Sequence, residues 1–130
     1  IELSPTLVNT LDCVVIATHA TVGQKETRKV REVVEIVNVN KDGVAVINTP
    51  FTWDAAKDVF YSKKQSKVFD KIPMRYGVSV AKLQKELVTR TKLLYELYRR
   101  KIFGFNEVEE IINNYYKNPV QVLAELNIKE

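Results

Sequence analysis

Cysteine and histidine each occur once in these 130 residues, so a nucleophile–base pair built from them would have to be Cys13 with His19. A thiolate needs its base within hydrogen-bond reach. The intervening VVIAT is rich in β-branched residues and reads as a strand. On a strand a six-residue separation puts both side chains on one face but about 20 Å apart. One His and one Cys also fall short of a zinc-ligand set. Asp54 and Asp58 flank Ala55-Ala56-Lys57, where turn chemistry accounts for them better than a cation site does. Phe51 and Trp53 suit a buried face better than a stacking platform. Four glycines, none in a G-x-x-x-x-G-K pattern, exclude a loop that cradles phosphate. The remaining concentration of chemistry is cationic: Arg28, Lys29 and Arg31 fall within four residues. Taken alone, they suit a solvated strand face balanced by Glu32 and Glu35.

The elements that position these residues change character near residue 62. Ser4-Pro5 caps a short opening helix, and CVVIAT follows as a strand. Residues 28–39 then alternate, with Val30, Val34 and Ile36 on one face and Arg31, Val33, Glu35 and Val37 on the other. Asn40-Lys41-Asp42-Gly43 is a tight-turn signal, so residues 44–48 return as the partner strand of a hairpin. FTWD and Val59-Phe60-Tyr61 give a second, smaller hairpin. Beyond Ser62 the pattern is helical. A helix over residues 64–76 is disturbed by Pro73 and closed by Gly77. A long helix capped by Ser79 runs to about Lys101, its core-facing stripe set by Val80, Leu83, Leu87, Leu94 and Tyr98. The aromatics of Ile102-Phe103-Gly104-Phe105 are expected to pin the next turn into the core. Asn106 with Glu109 gives a capping box for a helix whose apolar stripe is Val108, Ile111, Ile112 and Tyr115. Asn118-Pro119 opens a last short helix facing inward through Val120, Leu123 and Leu126. The reading is α+β: a small antiparallel β-hairpin sheet over residues 1–62, then a C-terminal helical bundle over residues 63–130.

Charge follows the same division. Residues 63–101 carry twelve basic and three acidic side chains, whereas residues 102–130 carry two basic and five acidic. The long basic helix therefore has acids to face at Glu107, Glu109 and Glu110. Helix, Gly77, basic helix is also the punctuation of a helix-turn-helix, which makes a small DNA-binding protein the alternative. Against that alternative, the long helix has about six turns, and its start (Val78, Val80, Ala81, Leu83) is apolar where base-reading residues belong. No apolar run approaches the roughly 18 residues of a membrane span. The lone cysteine fits a reducing compartment. The chain opens at Ile1 without a charged-then-apolar leader and is read as a fragment or processed chain.

An ordered series of segments carries a family resemblance: PTLVNTLDCVV (5–15), RKVREVVEI (28–36), NTPFTWD with DVF (48–60), KIPMRYGVS (71–79), and ELVTRTKLLYELYRRKIFGFNEVEEIINNYYKNPVQVL (86–123). Together they resemble the carboxyl-terminal portion of archaeal secretion ATPases, the motors related to those of type II secretion and type IV pili, which in archaea include the archaellum motor. The motifs are patterns of apolar and turn residues rather than catalytic signatures. Thr18-His19-Ala20 looks like the family's His box in its letters, but it follows the Leu11-Asp12-Cys13-Val14-Val15 stretch instead of preceding it, so no role is carried over.

The resemblance implies a fragment of a RecA-like motor domain from a homo-hexameric ATPase that drives pilin assembly or protein export. Such a motor sits in the cytoplasm at the inner face of the cell membrane, against a membrane platform protein. ATP and Mg belong to the parent protein. Its nucleotide-binding motifs lie ahead of the matched segments, so this chain holds no cofactor of its own and carries no hydrolysis. Arg28, Lys29 and Arg31 are then expected at a contact with a neighbouring subunit or with the amino-terminal half of the same protein.

Overall fold

β-branched residues fill the first half of the chain and build one antiparallel sheet, in the order β1 (Cys13–Val22), β2 (Lys25–Val39), β3 (Ala45–Asp54), β4 (Val59–Ser62). A one-turn helix, α1 (Pro5–Val8), precedes it, and α2 (Lys67–Tyr76), α3 (Val80–Arg99), α4 (Phe105–Lys117) and α5 (Pro119–Glu125) follow. The computed structural model describes residues 4–128, in two compact units, one ending at Gly77 and the other starting at Val78. The expected α+β class, a sheet followed by helices, is the observed one.

The strands run further than their β-branched centres suggest. β2 is 15 residues long because Gly23, at φ 63°, and Gly43, at φ 78°, bracket it with the left-handed backbone that tight turns require. Asn40 fixes the second turn by accepting from the amides of Asp42 and Val44. The aromatic FTWD is no separate strand but the second half of β3. Pro50 interrupts nothing, because it lies at a register shift where β3 bulges between Asn48 and Phe51. A proline is tolerated at such a point, where no ladder amide is needed. Pro50 is fully buried, and its carbonyl accepts from the Lys63 amide at 2.9 Å.

Helix α2 begins three residues later than the pattern indicates, because Ser66 caps it: the hydroxyl accepts from the Phe69 amide at 3.2 Å. Gly77, at φ 64°, closes it, donating its amide to the Pro73 carbonyl. Composition groups this helix with those that follow; in space it packs on β2 and belongs to the sheet's unit.

In the second unit, Leu93, Leu97, Tyr115, Val122, Leu123 and Leu126 form an apolar core, with Ile102, Val108, Ile111 and Ile128 packed against it. Burying each such side chain contributes about 1.5–3 kcal/mol. The caps at Ser79 and Asn118 form as expected. Four expectations do not hold. The inward face of α3 is Thr89, Leu93 and Leu97, whereas Val80, Leu87, Leu94 and Tyr98 lie outside, 45–69% exposed. Helix α4 starts at Phe105 on a Gly104 cap with no side-chain bond, so no capping box forms at Asn106. Phe103 and Phe105 are 65% and 78% exposed; Ile102 alone of that connector packs inward. In α5 it is Val122, not Val120, that joins Leu123 and Leu126.

Candidate functional site

The three cations of β2 are separated by a break in the strand's alternation. Opposite β1, Lys29 faces Thr18 and Arg28 faces His19, but the register shifts between Ile16 and Ala17, whose partners are Glu32 and Val30. Arg31 is the extra residue of this bulge. Lys29 is drawn to the β3–β4 hairpin, where its ammonium lies 2.7 Å from Asp58 Oδ1. The same ammonium lies 5.7 Å and 5.9 Å from the ring centroids of Trp53 and Phe60. Trp53 Nε1–H donates to the same Asp58 oxygen at 2.9 Å. The Lys29 and Trp53 hydrogen bonds hold the Asp58 carboxyl below its ordinary value. Asp58 takes a left-handed φ of 50°, a conformation Asp tolerates better than most residues. Arg31 pairs with adjacent Glu32 at 3.1 Å and stays 59% exposed, and Arg28 is exposed. Lys29 thus has an internal task, while Arg28 and Arg31 stay on the surface.

Sequence reasoning missed the residue around which this unit is built. Glu35 is 3% exposed, and its carboxylate faces the amino end of α2. It accepts from the Ser66 hydroxyl, from Asn48 Nδ2 at 2.7 Å and from the Lys67 and Val68 amides at 2.8 and 3.4 Å. Burial alone would raise this carboxyl's pKa; the hydrogen bonds from Ser66, Asn48 and the two amides outweigh it and hold the value below the ordinary 4.5. Asn48 also donates to the Gln65 carbonyl at 2.9 Å, so β2, β3 and the entry to α2 meet in one polar node. A negative charge there also suits the helix dipole. The acceptor oxygens are occupied, which makes Glu35 a latch rather than a base. The available signal was weak: a Ser three residues before Phe69, and a Glu in a strand otherwise rich in valine.

The chemistry elsewhere is sparse. Cys13 and His19 both stand exposed on β1. Asp54 Oδ1 accepts from the Ala56 and Lys57 amides, closing the turn between β3 and β4. Among the described residues, no three His, Cys, Asp or Glu side chains cluster as a metal site. A polar cavity of about 200 Å³ lies at His19, Ala20, Thr21 and Glu26. It brings no nucleophile to a base.

Three arginines, Arg90 and Arg99 on α3 and Arg100 just past its end, are met by glutamates of that same helix. Arg90 Nε lies 2.8 Å from Glu86, which also accepts from the Tyr115 hydroxyl at 3.1 Å. Glu96 takes Arg99 and Arg100 at 2.7 Å each. The two guanidinium groups push the Glu96 pKa down to about 2. Arg100 also donates to the Leu126 carbonyl at 2.8 Å, tying the end of α3 to that of α5. Among the described residues, no helix is long and apolar enough to cross a membrane. No protein-family model matches this chain, and no curated protein matches it either.

Proposed function

We propose that this chain is the carboxyl-terminal structural and subunit-interaction segment of a hexameric secretion or archaellum-assembly ATPase. It does no nucleotide chemistry itself; a RecA-like core in the rest of the parent protein binds ATP and Mg. The observation that supports an interaction role is the second apolar face of α3. Leu87, Val88, Leu94, Tyr95 and Tyr98 are 45–69% exposed on the side of the helix away from Leu93 and Leu97. A helix apolar on two faces suits burial between two neighbours rather than a surface position. The sequence resemblance supplies the identity of the assembly. Arg28 and Arg31, exposed on β2, are the cations placed to meet a neighbouring subunit, whereas Lys29 is held by Asp58 of the β3–β4 hairpin. In this reading the motor works at the inner face of the cell membrane against a platform protein.

Reversing the charge of Arg28 and Arg31 together in the full-length protein tests the contact. Assembly into the ring and ATP turnover are both expected to fall; if neither changes, those cations are not at the subunit contact. Titration with duplex DNA at about 50 mM salt, where phosphate contacts are strong, addresses the helix-turn-helix alternative. No binding is expected. Tight, salt-sensitive binding would replace the motor reading.

A further inference from the structure

An apolar hollow of about 440 Å³ opens at the start of α4, within residues 103–113 alone. Phe103, Phe105, Val108 and Ile112 line it, together with Glu109 and Asn113. One wall is steadied from α3, where the Tyr98 ring meets Phe103 edge-on with 6.0 Å between centroids. Val108, Ile111 and Tyr115 of α4 pack toward the core. Phe105, Glu109, Ile112 and Tyr116, spaced four, three and four apart, make a second stripe on the same helix. That stripe runs about 16 Å along the helix axis. Phe103, Phe105 and Tyr116 are 65–78% exposed. At roughly 150–250 Å² for each aromatic side chain, the three present about 400 Å², a patch of the size that is often functional on a monomer.

We propose that this stripe of α4 docks a basic amphipathic helix of a partner protein, with apolar side chains in the hollow and a lysine or arginine over Glu109. Charge selects the occupant. Glu109 lines the hollow itself, and Glu107 Oε2 comes within 3.7 Å of where a Cβ on Gly104 would stand, between the two phenylalanines. Glu107, Glu109 and Glu110 make no ion pair among the described residues. The one base of α4, Lys117, lies in its last turn. Unpaired carboxylates beside an apolar hollow repel nucleic-acid phosphates and anionic lipid headgroups. A second copy is not the occupant, because Arg90, Arg99 and Arg100 of its most basic helical stretch are already held by Glu86 and Glu96. A helix lying in a groove is read through apolar anchors at i, i+3 or i+4, and i+7, which is the spacing the stripe presents. About 400 Å² on each side is below the size of a stable interface, so the complex is a reversible one. The inference stands on the second unit and does not depend on the motor reading.

The probe is a synthetic helix of about 18 residues, with leucine at i, i+3, i+4 and i+7 and lysine at most other positions. Backbone amide shifts of the isotope-labelled full chain are followed as the probe is added at about 50 mM salt, where screening is weak. Residues 103–116 are expected to shift, with a Kd on the order of 100 µM. The same helix with glutamate in place of lysine is expected to bind about tenfold more weakly or worse. Phe105→Ser should weaken the lysine helix about tenfold, and Glu109→Lys about fivefold. Both side chains lie at the surface, so the melting temperature should stay where it is in either variant. No shift with the lysine helix at up to about 1 mM overturns the inference. Shifts centred outside residues 103–116, or equal binding of the lysine and glutamate helices, overturn it as well. Affinity indifferent to Phe105→Ser removes the hollow as the docking site, and affinity indifferent to Glu109→Lys removes the charge pairing that selects a basic partner.

Discussion

In the unit ending at Gly77, the least exposed side chains include a carboxylate, an amide and a hydroxyl: Glu35, Asn48 and Ser66, beside Ile36 and Pro50. In the unit beginning at Val78 they are Leu93, Leu97, Tyr115, Val122, Leu123 and Leu126, with Thr89 the one polar member. The contrast follows from geometry. Three helices can turn one stripe each toward a common axis and exclude water there. A four-stranded sheet with one short helix on it leaves most of each face wet, so directed hydrogen bonds must do more of the fixing. A polar node is brittle, because each partner removed leaves a buried group unsatisfied. An apolar cluster is tolerant of which methyl group fills it but intolerant of charge.

That contrast can be broken at either end. Leu97→Asp should have the largest effect, about 4 kcal/mol or more, by placing an unpaired charge in the apolar core. Hydrogen exchange should show protection collapsing in α4 and α5 while β2 and β3 keep theirs. If both units open together, they are one cooperative system. Glu35→Gln should do the reverse at neutral pH, costing about 2–3 kcal/mol by turning an amide donor toward groups that already donate. Protection should then be lost in β2, β3 and α2 alone.

The pH dependence has a definite sign. Glu35 has a lowered folded-state pKa, so its contribution is full above its unfolded value of 4.5 and is lost as pH falls through the folded value. Wild-type protection in β2 and β3 should therefore drop on acidification below pH 4.5, and that component should be missing in Glu35→Gln. A smaller loss, about 1–2 kcal/mol, is expected for Ser66→Ala, which removes the α2 cap and one donor to Glu35. The smallest belongs to Leu87→Asp. Leu87 lies on the outer face of α3, 45% exposed, and a shift under about 0.5 kcal/mol is expected. A large shift in the thermal midpoint would show that this face is covered.

Much of the fold was legible because its signals are local. Asn40–Gly43, Gly77, Ser79 and Asn118-Pro119 punctuate the chain where the elements begin and end, since a turn or a cap is decided by a residue's own backbone preferences and a partner at most four residues away. The side of a helix that faces inward is not local in that sense. Along α3 apolar residues occupy two faces, and periodicity favoured the one carrying Val80, Leu87 and Leu94. The packed face, with Thr89, Leu93 and Leu97, is chosen by where α4 and α5 lie. The candidate site divides the same way: sequence places Arg28, Lys29 and Arg31 together, but a bulge and the β3–β4 hairpin pull Lys29 away to Asp58.

The sequence alone determined an α+β order of elements, most of their caps and turns, and the absence of a phosphate-cradling loop from its own residues. Tertiary structure alone decided that Glu35 is a buried latch rather than a surface charge. Its donors are Asn48, Ser66 and the Lys67 and Val68 amides, 13 to 33 residues away. Periodicity within one strand carries no information about groups that only folding brings to it. The same holds for the outer face of α3, where residue types fixed its hydrophobicity but only packing decided which face was left open.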